Sequence, residues 1–347
     1  MSGRWQNWSG GQRANPSKLF KAERVEELAA ALPTLPAPIR PVGSGHSFTP
    51  LVPTDGAIIN IANLNGIVAV NGTTTTLRAG SQLRIIGATL RERGLAFKNQ
   101  GDIDHQTIGG ALGTGTHGTG LSEGSFSDAL SNCRFVLADG TQWQPNNEDE
   151  LNAARVSFGA LGVMVEAELN LAPAYDLAEE SQAVTLDEAL SAVHSEQHRH
   201  AEFFAFPHAD KVILKTLDMV TDAHADWPDA EALPAIDEET AEDAMFKAAA
   251  TTLRFFPNLA PALHQSLMAG IGVERRKGPS NIIFPSPRNA RFNEMEYAVP
   301  ISKGADAIRA VIEKMKAEGP ACMWPVEYRT RRQRALPAQD AVPGRHH

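Results

Sequence analysis

Glycine is bunched in the first half of this chain. Three clusters stand out: Gly43-Ser44-Gly45-His46-Ser47, the run from Gly109 to Gly120, and Gly159-Ala160-Leu161-Gly162. Glycine loses more conformational freedom on folding than any other residue. Clusters of it mark places where the main chain takes unusual φ/ψ or comes close to another group. Successive main-chain N–H groups in such turns cradle phosphates. Three clusters spread between residues 43 and 162 suit one long, phosphate-containing cofactor gripped from several loops.

Two phosphate-binding folds are excluded. Gly113-Thr114-Gly115-Thr116-His117-Gly118 formally matches GxGxxG, but that fingerprint must leave a hydrophobic strand and open a helix. Here Thr107-Ile108-Gly109-Gly110-Ala111-Leu112 precedes it and Thr119-Gly120 follows, a poor helix start. No GxxxxGK[ST] is present, so the chain is not a P-loop nucleotidase.

The 347 residues, 42% apolar and 21% charged, suffice for two globular domains with real cores. With 32 basic and 41 acidic residues the net charge is −9, which argues against a nucleic-acid partner. Cys133 and Cys322 form no disulfide framework and show no metal-ligand spacing, so no metal site is expected. The polar stretch Met1 to Asn15 is no signal peptide, and no apolar run reaches the length of a membrane span. A cytoplasmic location is expected.

Apolar spacing predicts a helix over 18–32, short strands at 39–42, 57–61, 67–71 and 75–79, and a helix over 82–93 ending at Gly94. Residues 101–125 show no period. Strands 133–138 and 141–144 flank an Asp139-Gly140 turn, and 156–171 gives a glycine turn and a long apolar strand. Past Pro173 the glycine clusters end, which places a boundary near 174. Strands are expected at 203–206, 211–217, 281–284, 292–299 and 323–329, with a helix at 302–318. Asp218 to Asp243 holds ten carboxylates and no Lys or Arg, and reads as a solvated acidic insertion.

Four segments occur in order: Pro41-Val42-Gly43-Ser44-Gly45-His46-Ser47-Phe48, Gln106-Thr107-Ile108-Gly109-Gly110, Gly113 to Gly120, and Phe158-Gly159-Ala160-Leu161-Gly162-Val163. Together they resemble the FAD-binding domain of the vanillyl-alcohol-oxidase superfamily, nearest to the sugar-1,4-lactone oxidases, with alditol oxidases next. Phe292-Asn293-Glu294-Met295-Glu296-Tyr297-Ala298-Val299-Pro300 and Pro325-Val326-Glu327-Tyr328-Arg329 resemble substrate-domain strands of the same family. The resemblance runs from about Trp8 to Arg329. It implies an α+β fold: a two-subdomain FAD-binding domain over 1–173, then an incomplete substrate domain of antiparallel sheet and helices over 174–329.

The resemblance also assigns roles. His46 would bond covalently to the flavin 8α-methyl carbon, in keeping with a neutral imidazole being a competent nucleophile at neutral pH. Val42, Gly43, Ser44, Gly45 and Ser47 would line the cofactor beside it. Gly109, Gly110 and Ala111 would pass along the isoalloxazine face and leave room for O2. Gly113, Thr114, Gly115, Thr116 and Gly118 would complete that loop, and Gly159, Gly162 and Val163 would hold the adenine and pyrophosphate end. His117 reads as structural, and His105 receives no role. Glu327 and Arg329 alternate with Tyr328, so on a strand they share a face. The resemblance places that pair at the substrate, Arg329 stabilising charge and Glu327 orienting hydroxyls.

The implied reaction is oxidation of a sugar lactone, of the D-arabinono- or L-gulono-1,4-lactone type, by hydride transfer to flavin N5, with O2 reoxidising the flavin to give H2O2. The alternatives are an alditol oxidase acting on a polyol, a related dehydrogenase, or a non-catalytic flavin-binding remnant. Family members continue into a His-Trp-x-Lys motif, whereas residues 330–347 form a basic tail without it. From Arg329 to His347 there are five arginines and one carboxylate. The expectation from this break is a shifted reading frame just after Arg329, the alternative being a natural short form with a disordered basic tail; either way an exposed sheet edge is expected where further strands would pair.

Overall fold

The computed structural model describes residues 3–234, 238, 240–286, 290–319 and 321–332, with only the main chain of Glu242. The tail from residue 333 lies outside them, so the reading of that segment has no structural counterpart.

The chain opens with a short ladder of β1 (Trp5–Gln6) against β2 (Arg13–Ala14). Next come β3 (Lys18–Lys21), α1 (Val25–Ala31), β4 (Ile39–Val42) and β5 (Ala57–Asn60). These strands form a parallel sheet with β5 in the centre. The single helix expected over 18–32 is therefore a strand and a shorter helix. Lys18 to Lys21 pair in register with Ala57 to Asn60, and that tertiary pairing outweighs local helix propensity.

A second sheet is antiparallel. It uses β6 (Ile67–Asn71), β7 (Thr74–Arg78), then after α2 (Leu83–Arg91) and β8 (Leu95–Ala96) the helix α3 (Ile108–Gly113) and strands β9 (Leu130–Val136) and β10 (Gln142–Trp143). Helix α4 (Glu148–Arg155) leads into β11 (Val163–Asn170), and β12 (Ala172–Pro173) pairs with β8. The order is β10-β9-β11-β7-β6. Both sheets and α1 to α3 share one core, in which Leu28, Ile59, Leu77, Leu83, Ile108, Leu112, Phe135 and Val165 are buried. The aperiodic stretch 101–125 thus contains a helix, α3. Its N-cap Thr107 accepts a hydrogen bond from the Gly110 N–H, and Ile108, Ala111 and Leu112 anchor it in the core.

The second half builds an antiparallel sheet from β13 (Asp176–Val184), then, after α5 (Leu186–Val193), β14 (His200–Ala205) and β15 (Val212–Met219). After α6 (Ala241–Phe255) and α7 (Ala260–Ala269) come β16 (Glu274–Pro279), α8 (Ser280–Ile283), α9 (Ile301–Glu318) and β17 (Val326–Arg329). The order is β16-β13-β15-β14-β17, with β17 at the edge and no described strand beyond it. One face, with Ala201, Phe203, Leu214 and Tyr328, packs on α5 and α9 through Leu190, Val193, Ile308 and Ile312. The opposite face carries His200, Glu202, Lys215, Leu217, Glu327 and Arg329, and it turns toward the first half: His200 Nδ1 lies 3.0 Å from the Thr119 carbonyl.

Two expected strands are something else. Residues 281–284 fall in α8 and at its C-terminal cap, where Ile283 and Phe284 pack on Leu177 and Leu217. A four-residue apolar run fits a buried helical turn as well as a strand. Residues 292–299 form no regular element. They lie mostly exposed across the junction of the two halves, fastened by Phe292 and by Ser9 donating to Asn293 at 2.8 Å. The acidic stretch is only partly solvated. Asp218 accepts from the Arg199 N–H and contacts His198, while Asp243 caps α6 with Thr240.

Candidate active site

The three glycine clusters meet in one open groove. One wall is the turn after β4: Val42, Gly43, Ser44, Gly45, His46 and Ser47 all line it. A second is one side of α3, with Gly109, Gly110, Gly113 and Thr114. A third is the turn before β11, with Gly159 and Gly162.

Five residues expected at the cofactor do not line the groove. Ala111 and Val163 belong to the core instead. The helical period explains Ala111: residues 109, 110, 113 and 114 share one side of α3, while 108, 111 and 112 share the other. Gly115, Thr116 and Gly118 support the wall from behind. Gly115 turns the chain at φ +70°, Thr116 accepts a 3.0 Å hydrogen bond from Gln106, and a Cβ on Gly118 would sit 2.3 Å from the Gln100 carbonyl.

Other lining residues went unassigned by the sequence reading: Pro41, Leu51, Val52, Ile61, Gln106, Thr107, Phe135, Ser157, Phe158 and Met164. Several are neighbours of the glycine motifs, and that adjacency was the available signal. Phe158 adopts φ +52° without being glycine and is half exposed. Residues at positive φ concentrate where a ligand is held.

The groove suits a long cofactor with phosphates. The N–H groups of Ser44, Gly45 and Ser47 donate to no acceptor among the described residues. Gln106 Oε1 is buried without a hydrogen-bond partner. Gly113 is buried, yet a Cβ placed there meets nothing of the protein within 4 Å, so its missing side chain leaves open groove. By contrast, Gly43 and Gly159 are bare because the protein itself approaches: their Cβ atoms would lie 2.1 Å from Thr107 Oγ1 and 2.9 Å from Pro41 Cγ.

His46 sits in the groove wall, stacked on Trp8 at 5.0 Å and edge-on to His105 at 5.7 Å. Trp8 in turn packs edge-on against Phe292 of the crossing segment. His105, left without a role in the sequence, therefore helps orient the histidine beside the cofactor groove.

Glu327 and Arg329 share a face of β17, with Arg329 Nη1 3.1 Å from Glu327 Oε1. Tyr328 points the other way, stacked on Phe203, its hydroxyl 2.7 Å from His194 Nε2. Neither Glu327 nor Arg329 lines the groove itself. They reach its glycine loop through Glu296, which lies 3.4 Å from Arg329 Nη2 and 2.7 Å from His117 Nε2. His117 Nδ1 is 2.9 Å from the Gly118 carbonyl, so each ring nitrogen faces an oxygen acceptor. His117 is thus more than a turn residue: it ties the loop to the second half of the chain. The His117 hydrogen bond and Arg329 together hold the Glu296 carboxyl down to about 2, against the opposing effect of burial. At Arg329 burial works against the charge, but Glu327, Glu296, Asp102 and Glu202 outweigh it and keep the guanidinium more firmly protonated than usual.

Residues 16–144 match the FAD binding domain family, and residues 167–339 match the D-arabinono-1,4-lactone oxidase family. The L-gulono-1,4-lactone dehydrogenase of Mycobacterium tuberculosis is 33% identical over 336 residues, 95% of this chain and 78% of that protein. The chain belongs to the sugar-lactone oxidoreductase family. Within the family, mouse L-gulonolactone oxidase is 31% identical over 60% of this chain and 50% of its own length. The D-arabinono-1,4-lactone oxidase of Yarrowia lipolytica is 25% identical over 89% of this chain and 63% of its own. The fold is that of cholesterol oxidase from Brevibacterium sterolicum, with TM-score 0.74 at 17% identity, covering 95% of this chain and 72% of that one. The family match continues to residue 339, ten residues past the point where the motif resemblance ended. No helix among the described residues is long and apolar enough to cross a membrane.

Proposed function

We propose that this chain oxidises the hydroxyl-bearing carbon of an aldono-1,4-lactone, of the D-arabinono or L-gulono type, with FAD in the glycine-lined groove. The convergence of the three clusters and His46 on that groove, tethered by His117 and Glu296 to the Glu327–Arg329 pair, supports the assignment. Bound FAD supplies a hydride acceptor that no amino-acid side chain offers. Ser44, Gly45 and Ser47, with Gly159 and Gly162, give main-chain donors to its phosphates, and His46 supplies the ring nitrogen for a covalent attachment. Gly109 and Gly110 present bare main chain along α3. Arg329, permanently charged, stabilises the carbonyl oxygen of substrate and product, while Glu327 accepts hydrogen bonds from lactone hydroxyls.

O2 is proposed as the final acceptor, with H2O2 as product. The printed names of the relatives divide on this point, since the Mycobacterium tuberculosis protein is a dehydrogenase and the mouse and yeast proteins are oxidases. That division favours an acceptor other than O2 as the second reading. FAD-loaded protein mixed anaerobically with L-gulono-1,4-lactone or D-arabinono-1,4-lactone should lose its yellow colour, and admitting air should restore it with one peroxide per flavin. Bleaching that persists in air and is reversed, without peroxide, only when an added electron-accepting dye is reduced in its place would assign the dehydrogenase reading. Flavin that stays oxidised with every aldonolactone would remove the proposal.

A further inference from the structure

Three residues of the turn between α4 and β11 take positive φ: Phe158 at +52°, Gly159 at +73° and Gly162 at +142°. Glycine enters that region freely, whereas a residue with a side chain is strained there. Among the described residues Phe158 is the one non-glycine residue at positive φ. Packing offsets little of the strain, since Phe158 is 53% exposed. A glycine in its place would relieve the strain and lose little buried surface. The ring therefore serves something other than the fold.

The position of Phe158 points to a ligand. Its N–H donates to the Gly113 carbonyl at 2.9 Å, which fastens it to the C-terminal end of α3. Gly113 and Phe158 both line the cofactor groove, and Gly113 is where an added Cβ meets nothing of the protein within 4 Å. An exposed aromatic residue thus borders an open part of the groove. Contacts of this turn run to the first half of the chain: Val156 to Gly115, Gly159 to Pro41, and Gly162 to the Val136 carbonyl. His46 is placed differently, against Trp8 and His105, with Trp8 packed on Phe292 of the crossing segment. The redox-active ring of FAD has to meet a substrate, and His46 puts it at that junction of the two halves. The part of the groove at Phe158, walled by the first half, is left for the other flat ring of FAD, the adenine. A base stacks on an aromatic side chain because both present π-faces.

We propose that Phe158 is a cofactor-binding residue whose ring stacks on the adenine of FAD, its strained backbone holding the ring at the groove before the cofactor arrives. The inference rests on FAD occupying this groove and is independent of which lactone is oxidised. A ring placed during folding has less freedom to lose when the cofactor binds. Phosphates are common to FAD and FMN, whereas only FAD carries adenine, so Phe158 contributes to the choice between them.

The test titrates the full chain, free of flavin, with ADP and with inorganic pyrophosphate in a calorimeter, using wild type, F158A, F158G and F158W. ADP carries the adenine and pyrophosphate only the phosphates, and neither has the flavin carbon that His46 would attack. The ADP dissociation constant is expected to rise about tenfold in F158A and F158G, the effect of losing one base–aromatic stack, and to stay near wild type in F158W. Pyrophosphate should bind all four proteins alike. F158G also separates this role from a structural one: with the strain relieved, the ligand-free variant should melt no lower than wild type. A lower F158G melt would assign the ring to the fold and overturn the proposal. Unchanged ADP affinity in F158A, an equal loss of pyrophosphate affinity, or no ADP binding by the wild-type chain would overturn it as well. A chain that shows the expected ADP differences and takes up FAD, yet is bleached by no aldonolactone, would support the role of Phe158 and count against the lactone reading alone.

Discussion

A methyl group added at Gly113 projects into open groove, while one added at Gly43 collides with Thr107 Oγ1 at 2.1 Å. The two alanine variants should therefore separate binding from folding. G113A, at the last position of α3, should melt no lower than wild type, because alanine in a helix gains about 0.5–1 kcal/mol over glycine, yet its FAD dissociation constant should rise at least about tenfold. G43A should lower the melting temperature itself. A calorimetric melt and an FAD titration on each variant check both outcomes. Glu296 makes a pH-dependent contribution of known sign. Its folded pKa, about 2, lies below the ordinary 4.5, so the stabilisation is complete above pH 4.5 and is lost as pH falls toward 2. E296Q should flatten that part of a stability-against-pH curve. At this scale the sequence showed the glycine clusters, His46 and the Glu327–Arg329 alternation. It did not show that Ala111 and Val163 turn into the core, because the side a residue faces depends on where the helix or strand packs.

Helix α3 is short, six residues long, and it begins at a threonine that serves two purposes. Thr107 Oγ1 accepts the Gly110 N–H at 3.2 Å and also fills the space beside Gly43. T107A should cost about 1 kcal/mol as a lost helix cap, and FAD binding should weaken along with it, since the glycine wall is then less fixed; denaturant melts and FAD titrations measure the two. Strands β14 and β15 give a sharper contrast. K215M alone leaves Glu202 buried beside Glu179 without its cation and should destabilise by about 3–5 kcal/mol, while E202Q/K215M should be close to wild type; urea melts of the two variants make the comparison. Period and turn chemistry made most elements legible, including α2, the β9–β10 hairpin across Asp139-Gly140, and α9. The strand at Lys18 to Lys21 was hidden because its partner lies near residue 58. The exposed crossing segment at 292–299 alternates like a strand, but no described strand pairs with it.

Among the described residues the first half packs on one large core and the second on three smaller clusters, and the two halves are joined by contacts that converge on one place. Trp8 and Phe292 pack across the junction, His117 meets Glu296, and His200 meets the Thr119 carbonyl. Burial pulls His200 down to about 4 from its ordinary 6.5. The folded form keeps this ring neutral while the unfolded form takes up a proton below pH 6.5. Stability should therefore decline as pH falls from 6.5 toward 4, and H200N should lessen that decline; thermal melts across this range test it. An FAD-binding first half was legible in the spacing of glycines. The joining contacts were not, since each links residues more than eighty positions apart with no local pattern. The central claim is that the glycine loops seat FAD with His46 as its anchor. The most direct measurement is the absorption spectrum of the protein after incubation with FAD, followed by acid precipitation. The account predicts a yellow protein whose colour stays with the pellet and whose His46 peptide carries the mass of the flavin. A protein that takes up no FAD and remains colourless would contradict it.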